Sequence, residues 1–274
     1  MKITASQVND LRKKTGAGMM DCKKALEEAN GDIEVAIDLL RKKGQKVAAK
    51  RGDNEAKEGL IFAESTGNTG YIIQLNCETD FVAKNEDFQN FVKNILKVGI
   101  DNNATSVEEV KALKFDDKLT VDEKIIEQIG VIGEKLELSG FAKIEAGFVE
   151  AYNHPGNQLA ALVGLNKDSE EVREAGRQVA MQVAAMNPLA LTKDGIDEET
   201  INRELEVGRD LAIQEGKPAE MADKIAQGRL NKFFKESTLL SQDFVRDNKL
   251  SVEKFLNSVE SGLTVTDFKR FALS

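Results

Sequence analysis

Few side chains in this sequence have the type and spacing to do chemistry. His154 is the only histidine, which excludes multi-histidine metal sites and argues against a histidine triad. In Asn153-His154-Pro155-Gly156 it reads as a residue of a surface turn. Cys22 and Cys77 form neither a CxxC pair nor a metal-ligand spacing, so both read as reduced, buried small residues. There is no GxxxxGK(S/T) loop, and Gly16-x-Gly18 lacks the third glycine and the preceding strand of a dinucleotide fingerprint. Carboxylates are plentiful, but no pair stands apart, so no catalytic set, cofactor or metal is expected. What remains is Thr79-Asp80-Phe81-Val82, where a carboxylate adjoins a large aromatic. Such a pair is either a helix cap with a core anchor, or a projecting hook for a partner.

Two elements must position that stretch. Tyr71 to Cys77 is β-branched and apolar and follows the turn residues Gly67-Asn68, so it reads as a buried strand. Phe88, Phe91, Val92, Ile95 and Leu96 recur at helical spacing and predict a helix with one apolar face, ending at Gly99. Asp80 and Phe81 therefore fall at a strand-to-helix junction.

Composition bounds the class. The chain has 274 residues, 31% charged and 41% hydrophobic, with three prolines and no tryptophan, which suits a helix-rich globular protein. No apolar run approaches the length of a membrane span, and MKITASQVND lacks the apolar region of a signal peptide, so a cytoplasmic protein is expected. A net charge of −9 argues against general nucleic-acid binding. Residues 1–52 nonetheless hold 12 Lys+Arg against 7 Asp+Glu. That surplus is either a solvated helix face or a surface for an acidic partner.

Residues 1–44 read as three short helices. Thr4 or Ser6 caps the first, which stops at Gly16; an Ala17-Gly18-Met19-Met20 loop follows; the second starts at Asp21 and ends at Asn30-Gly31; Asp32 caps the third, which stops before Gly44. Gly turns and a small core suggest a bundle of ubiquitin-associated type, which would bind through Met19-Met20. Lys46 to Lys57 reads as a linker with a helical beginning. Strands are expected at Leu60–Glu64 and Tyr71–Cys77, and helices near Val107–Leu113 and after the capping box Thr120-x-x-Glu123. Leu136 to Tyr152 predicts one long strand, bent at Gly140 or Gly147, and Gln158 to Asn166 a buried one. Ser169 caps a helix closed by Asn187-Pro188. Glu198–Glu215 and Ala219–Lys235 predict an antiparallel helical hairpin, its seam formed by Ile201, Leu205, Gly208 and Ala212 against Met221, Ile225 and Gly228. A short helix capped by Ser251 and a final strand from Leu263 complete the chain. Thr266-Asp267-Phe268 repeats three letters of Thr79-Asp80-Phe81 in a strand context, and is read as coincidence.

Three stretches carry a resemblance. ITASQVNDLRKKTGAGMMDCKKALEEANGDIEVAIDLL within residues 1–40, then NCETDFVAKNEDF, then IGEKL at 132–136, resemble bacterial elongation factor Ts, and the similarity runs in order to Leu273. The resemblance implies an α+β fold: a ubiquitin-associated-like helical module with the linker start at 1–52, and a two-part core with antiparallel strands. The core halves are 53–139 and 140–274, the second carrying the protruding hairpin 198–235. It implies a guanine-nucleotide exchange factor for elongation factor Tu, not an enzyme. Thr79, Asp80, Phe81 and Val82 match the family segment that disturbs the partner's magnesium site. Met19, Met20, Lys23, Arg51, Ile132, Gly133, His154 and Val245 match its other contact positions. Leu273-Ser274 ends where longer family members continue into a C-terminal helical module. A non-exchanging adaptor or chaperone and a carboxylate-based hydrolase are the competing readings, and self-association through the hairpin stays open.

Overall fold

The computed structural model describes residues 3–273. They fall into two compact units, one of residues 3–62, 72–143 and 272–273, the other of 63–71 and 144–271. In chain order the first carries α1 (Ala5–Thr15), α2 (Met19–Glu28), α3 (Ile33–Arg51), β1 (Glu58–Thr66), β2 (Thr69–Cys77), the single turn α4 (Asp80–Ala83), α5 (Glu86–Asp101), α6 (Val107–Ala112), α7 (Val121–Ile132) and β3 (Glu137–Glu145). The tip of the β1–β2 hairpin and the end of β3 belong to the second unit. That unit continues with β4 (Phe148–Asn153), β5 (Leu159–Leu165), α8 (Glu170–Met186), α9 (Glu198–Gln214), α10 (Ala219–Ser237), β6 (Asp243–Phe244), β7 (Asp247–Ser251), α11 (Val252–Val259) and β8 (Val265–Ala272). Two three-stranded sheets, ordered β1-β2-β3 and β4-β5-β8, make the fold α+β.

In the first unit, Thr4 and Gln7 form a reciprocal capping box at the start of α1, and Gly16 closes it in the left-handed region at φ 71°. Val8, Leu11, Cys22, Ala25, Leu26, Ala36 and Ile37 form the small core of the three helices. Two boundaries differ from the sequence reading. Met19 and Met20 are the first turn of α2 and not a loop, because Gly18 takes the N-cap position and its carbonyl accepts from Cys22 N–H at 2.9 Å. And α3 does not stop at Gly44 but runs on to Arg51, through the first half of the stretch read as a linker with a helical beginning.

The reason lies across the helix pair. A Cβ on Gly44 would lie 3.0 Å from the Ile126 carbonyl oxygen of α7, and one on Gly130 only 2.7 Å from Gly44 Cα. Gly44 is the point where two backbones touch, so the residue that reads as a stop is a packing contact.

In the second unit β4 pairs antiparallel with β5, from Phe148↔Leu165 to Asn153↔Ala160. β5 is buried on both faces, and α8 packs Val172, Val179, Ala180 and Val183 into the same core as Leu165, Leu239 and Leu256. The long strand expected from Leu136 is two strands, broken at Ala146-Gly147, while Gly140 lies inside β3 without a break. A Cβ on Gly147 would fall 2.7 Å from the Asn166 carbonyl, so the close backbone approach sets the break there. Phe268 is half-buried against this core, in a strand setting unlike that of Phe81.

The hairpin α9–α10 turns at Gly216, φ 78°, where Lys217 N–H reaches back to the Ala212 carbonyl at 3.0 Å. Its seam is displaced by one residue on α10 from the expected row. Gly208 and Ala212 face Ala222 and Ala226, with Leu230 below, whereas Met221 is 52% exposed and Gly228 has open space around it. Small residues win the seam because they let the helices come close; a Cβ on Gly208 would lie 3.2 Å from Ala226 Cα.

These environments assign opposite signs to one substitution. Gly130→Ala gains about 1 kcal/mol of helix propensity but forces the α3 and α7 backbones apart, an overpacking cost of about 1–3 kcal/mol. A net loss of up to about 2 kcal/mol is expected in thermal unfolding. Gly228→Ala meets no neighbour and should stabilise by up to about 1 kcal/mol. Equal shifts of the two melting temperatures would contradict the backbone contact at Gly44.

Candidate functional site

The stretch Thr79–Val82 is built from two helix starts set almost end to end. β2 finishes at Cys77, and Thr79 caps α4, its hydroxyl accepting from Val82 N–H at 3.5 Å. Asn85 caps α5 immediately afterwards, its side-chain oxygen accepting from Asp87 N–H at 2.8 Å and Phe88 N–H at 3.3 Å. Asp80 is not the cap; it lies in the first turn and pairs with Lys84 Nζ at 2.6 Å. The Lys84 ammonium, as hydrogen-bond donor, holds the Asp80 carboxyl below its usual range.

Phe81 does not enter the core. It is 83% exposed, and the aromatic that anchors the junction is Phe88, 2% exposed. The reading of Asp80 as cap and Phe81 as core anchor therefore fails at both residues. Of the two readings of this stretch, the projecting hook is the one compatible with that exposure.

Beneath the exposed turn lies a polar support. The Glu134 carboxylate accepts from Glu78 N–H and Thr79 N–H, each at 3.1 Å, and from the Thr79 hydroxyl at 2.7 Å. The Glu78 carboxylate in turn accepts from Lys135 N–H at 2.6 Å, Asn54 Nδ2 at 3.0 Å, and Arg51 Nη1 at 2.8 and 3.0 Å. Burial pushes the Glu78 carboxyl up, but those donors outweigh it and hold the group below its ordinary value. The Cys77 thiol donates to the Thr79 carbonyl at 3.2 Å; burial, reinforced by the Glu134 charge, pushes its pKa up to about 12, so it stays a thiol.

A groove of about 690 Å³ opens beside the turn, lined by Phe81, Val82, Phe88, Phe91, Phe115 and Ile132 among others. Ile132 is thus brought to Thr79–Val82, and Gly133 closes α7 at φ 81°, delivering the chain to Glu134. Arg51 is tied into the same support through Glu78. Met19 and Met20, in the same unit, are exposed on the first turn of α2. Lys23 follows Met19 at i+4 on that helix and forms a half-exposed pair with Glu27 at 3.8 Å.

The remaining two candidates belong to the second unit. His154 is exposed just past β4, its Nδ1 3.0 Å from Tyr152 Oη and its N–H on the Leu159 carbonyl. Val245 is 50% exposed, its N–H on Gln182 Oε1 at 2.9 Å. Glu78 and Glu134 were not singled out from sequence. They stand in the quoted NCETDF and IGEKL stretches, yet no spacing rule pairs carboxylates so far apart. Among the described residues no cluster of His, Cys, Asp and Glu is arranged to hold a metal ion.

Comparison with known proteins gives one answer. A family model described as elongation factor TS matches residues 78–274. The elongation factor Ts of Christiangramia forsetii is 52% identical over 275 residues, covering 99% of both chains. That of Amoebophilus asiaticus is 50% identical over 273 residues, 98% of both. That of Clostridium kluyveri is 43% identical over 281 residues, 98% of this chain and 92% of the relative.

The support beneath the turn has a pH signature. Because the folded Glu78 carboxyl lies below its ordinary value of 4.5, its contribution is present above that pH and is lost as pH falls through the folded value. Glu78→Gln should melt below wild type at neutral pH, with a gap that holds down to the ordinary value of 4.5 and narrows as the pH is taken below it and the native carboxylate protonates. A gap that held constant below that value as well would show that the charge of Glu78 contributes nothing.

Proposed function

The chain belongs to the elongation factor Ts family, and from that membership we infer that it is a guanine-nucleotide exchange factor for elongation factor Tu, promoting GDP release in translation elongation. Exchange of this kind needs no covalent step, so the chain is not an enzyme in the chemical sense. It works in the cytoplasm with its partner. The observation that carries the mechanism is Phe81, 83% exposed at the end of a braced turn.

An exchange factor must bind the nucleotide-free partner better than the nucleotide-bound one, since equal affinity would shift nothing. By linkage, the factor by which it weakens GDP is the factor by which GDP weakens its own binding. A ~10⁴-fold effect needs about 5.5 kcal/mol of differential binding. Phe81 entering an apolar slot supplies roughly 1.5–3 kcal/mol of that. The remainder is assigned to Asp80 and the rest of Thr79–Val82, acting on the groups that hold the partner's magnesium ion and phosphates.

The other positions are assigned to docking. Met19, Met20 and Lys23 share one exposed end of α2 within residues 1–52, the ubiquitin-associated-like module, whose positive surplus steers it toward an acidic face. His154 and Val245 offer a separate contact from the second unit. Exposure of Met19 and Met20 alone would equally serve an adaptor that holds the partner without releasing nucleotide. The two readings part at Phe81, which only exchange requires.

Release of labelled GDP from elongation factor Tu is therefore the measurement. Wild type should accelerate it. The double variant Asp80→Ala with Phe81→Ala should melt close to wild type, with a Phe81 contribution within about 0.5 kcal/mol as at other exposed sites, and should lose most of the acceleration. Complex formation with unchanged release by wild type would support the adaptor; full acceleration by the double variant would overturn the role given to this turn.

A further inference from the structure

We propose that Glu134 is a positioning residue for exchange: with Glu78 it forms a reciprocal clasp that holds the Thr79–Val82 turn in the projecting conformation. This inference rests on the exchange reading above and names residues which that reading does not use.

By itself α4 lacks the means to hold its shape. It is a single turn of four residues and buries none of its side chains. One turn cannot sustain itself, because helix nucleation fixes several dihedrals for one hydrogen bond, with an equilibrium factor of order 10⁻³. Packing holds the turn only in part, since Phe81 stands in water and Val82 and Ala83 are half-buried. Gln89 Nε2 donates to the Ala83 carbonyl at 3.2 Å, which fixes the exit of the turn and not its entry. Something outside the turn must fix its entry.

The clasp does so from both sides. Glu134, just past the left-handed Gly133, takes the two N–H groups that lead into α4 and the hydroxyl of its capping residue. Glu78, on the opposing segment, takes the N–H of Lys135. Each glutamate thus grips the backbone beside the other, and their segments are locked in register. Two neighbouring carboxylates would repel, but Arg51 binds Glu78 through Nη1. Lys135 Nζ reaches the carbonyls of Gly52 and Asn54 at 3.0 and 3.1 Å, tying its segment to the end of α3, and pairs with Glu137 at 3.4 Å. Cys77 adds its thiol hydrogen bond to the Thr79 carbonyl. Arg51, matched above to a contact position, acts through Glu78 on this geometry.

The functional consequence is pre-organisation. Within the docked complex, only the fraction of molecules that presents Phe81 correctly can displace the nucleotide, so the rate at saturation falls by that fraction. Docking through Met19, Met20, Lys23, His154 and Val245 uses no residue of the clasp. Loosening it should therefore reduce the GDP-release rate at saturation while leaving the half-saturating concentration of this chain nearly unchanged.

The test uses the full chain with elongation factor Tu. Glu134→Ala should lower the saturating release rate roughly tenfold or more, with the half-saturating concentration within about threefold of wild type. Glu134→Asp keeps the charge but loses the reach and should behave alike; it stands in if the alanine variant fails to melt cooperatively. Glu134→Gln should restore the rate, because its amide oxygen accepts both N–H groups and its NH2 can donate to the Thr79 hydroxyl. A second readout needs no partner. The chain contains no tryptophan, so the indole introduced by Phe81→Trp is a lone reporter. Its fluorescence anisotropy should fall when Glu134→Ala or Glu134→Asp is added and return with Glu134→Gln.

An unchanged saturating rate with a raised half-saturating concentration would show a purely structural role and overturn the proposal. So would a glutamine variant as defective as the alanine one, or anisotropy insensitive to position 134. Absence of any release by wild type would instead sink the exchange reading, and the anisotropy series would then judge the clasp alone.

Discussion

Everything distinctive about the candidate site depends on a carboxylate receiving backbone N–H groups. Glu134 accepts from Glu78 and Thr79, and Glu78 accepts from Lys135. The Glu134 carboxylate takes three donors at once, two N–H groups and the Thr79 hydroxyl, and so holds a segment that has no core of its own. Without them, the exit of β2 would be an ordinary loop. With them, a strand end, a single helical turn and the start of α5 become one support on which an aromatic can be kept in water.

The arrangement accepts a local cost for a distant gain. An exposed phenylalanine contributes nothing to the stability of the free chain, and a half-buried carboxylate pair must be compensated by Arg51, Asn54 and Lys135. On the exchange reading proposed above, the return comes on association, when the apolar area of Phe81 leaves water without first having to be ordered. The same division of labour explains the buried Cys77, whose raised pKa keeps it a hydrogen-bond donor under the turn and not a reactive thiolate.

Elsewhere the fold is governed by how closely backbones approach. Gly44 and Gly130 let α3 and α7 touch, Gly147 lets the chain pass the Asn166 carbonyl, and Gly208 lets α9 meet Ala226. In each case the missing Cβ is what the neighbour requires. This is why glycines behave differently along the chain: Gly16 and Gly133 end helices at positive φ, while Gly44 lies within a helix that continues past it.

The amino-acid sequence by itself determined the elements whose signals are local. Thr120-x-x-Glu123 is a capping box, Asn187 closes α8, the Phe88–Leu96 stripe makes α5, and the β-branched run to Cys77 makes β2, while the choice of Thr4 over Ser6 as the cap of α1 came with its Gln7 partner. Each is decided within a few residues by hydrogen bonds or periodicity, and the stretches that carry the family are equally local. Only the tertiary structure decided the rest. Whether Gly44 stops a helix or joins two depends on α7, far along the chain, and the α10 seam row is chosen by the small residues of α9. Whether Phe81 is buried depends on Phe88 filling the core in its place. The partnership of Glu78 with Glu134 was illegible for the same reason: a lone glutamate carries no mark of which distant N–H groups it will meet, and that meeting exists only once β2 and the end of α7 are side by side.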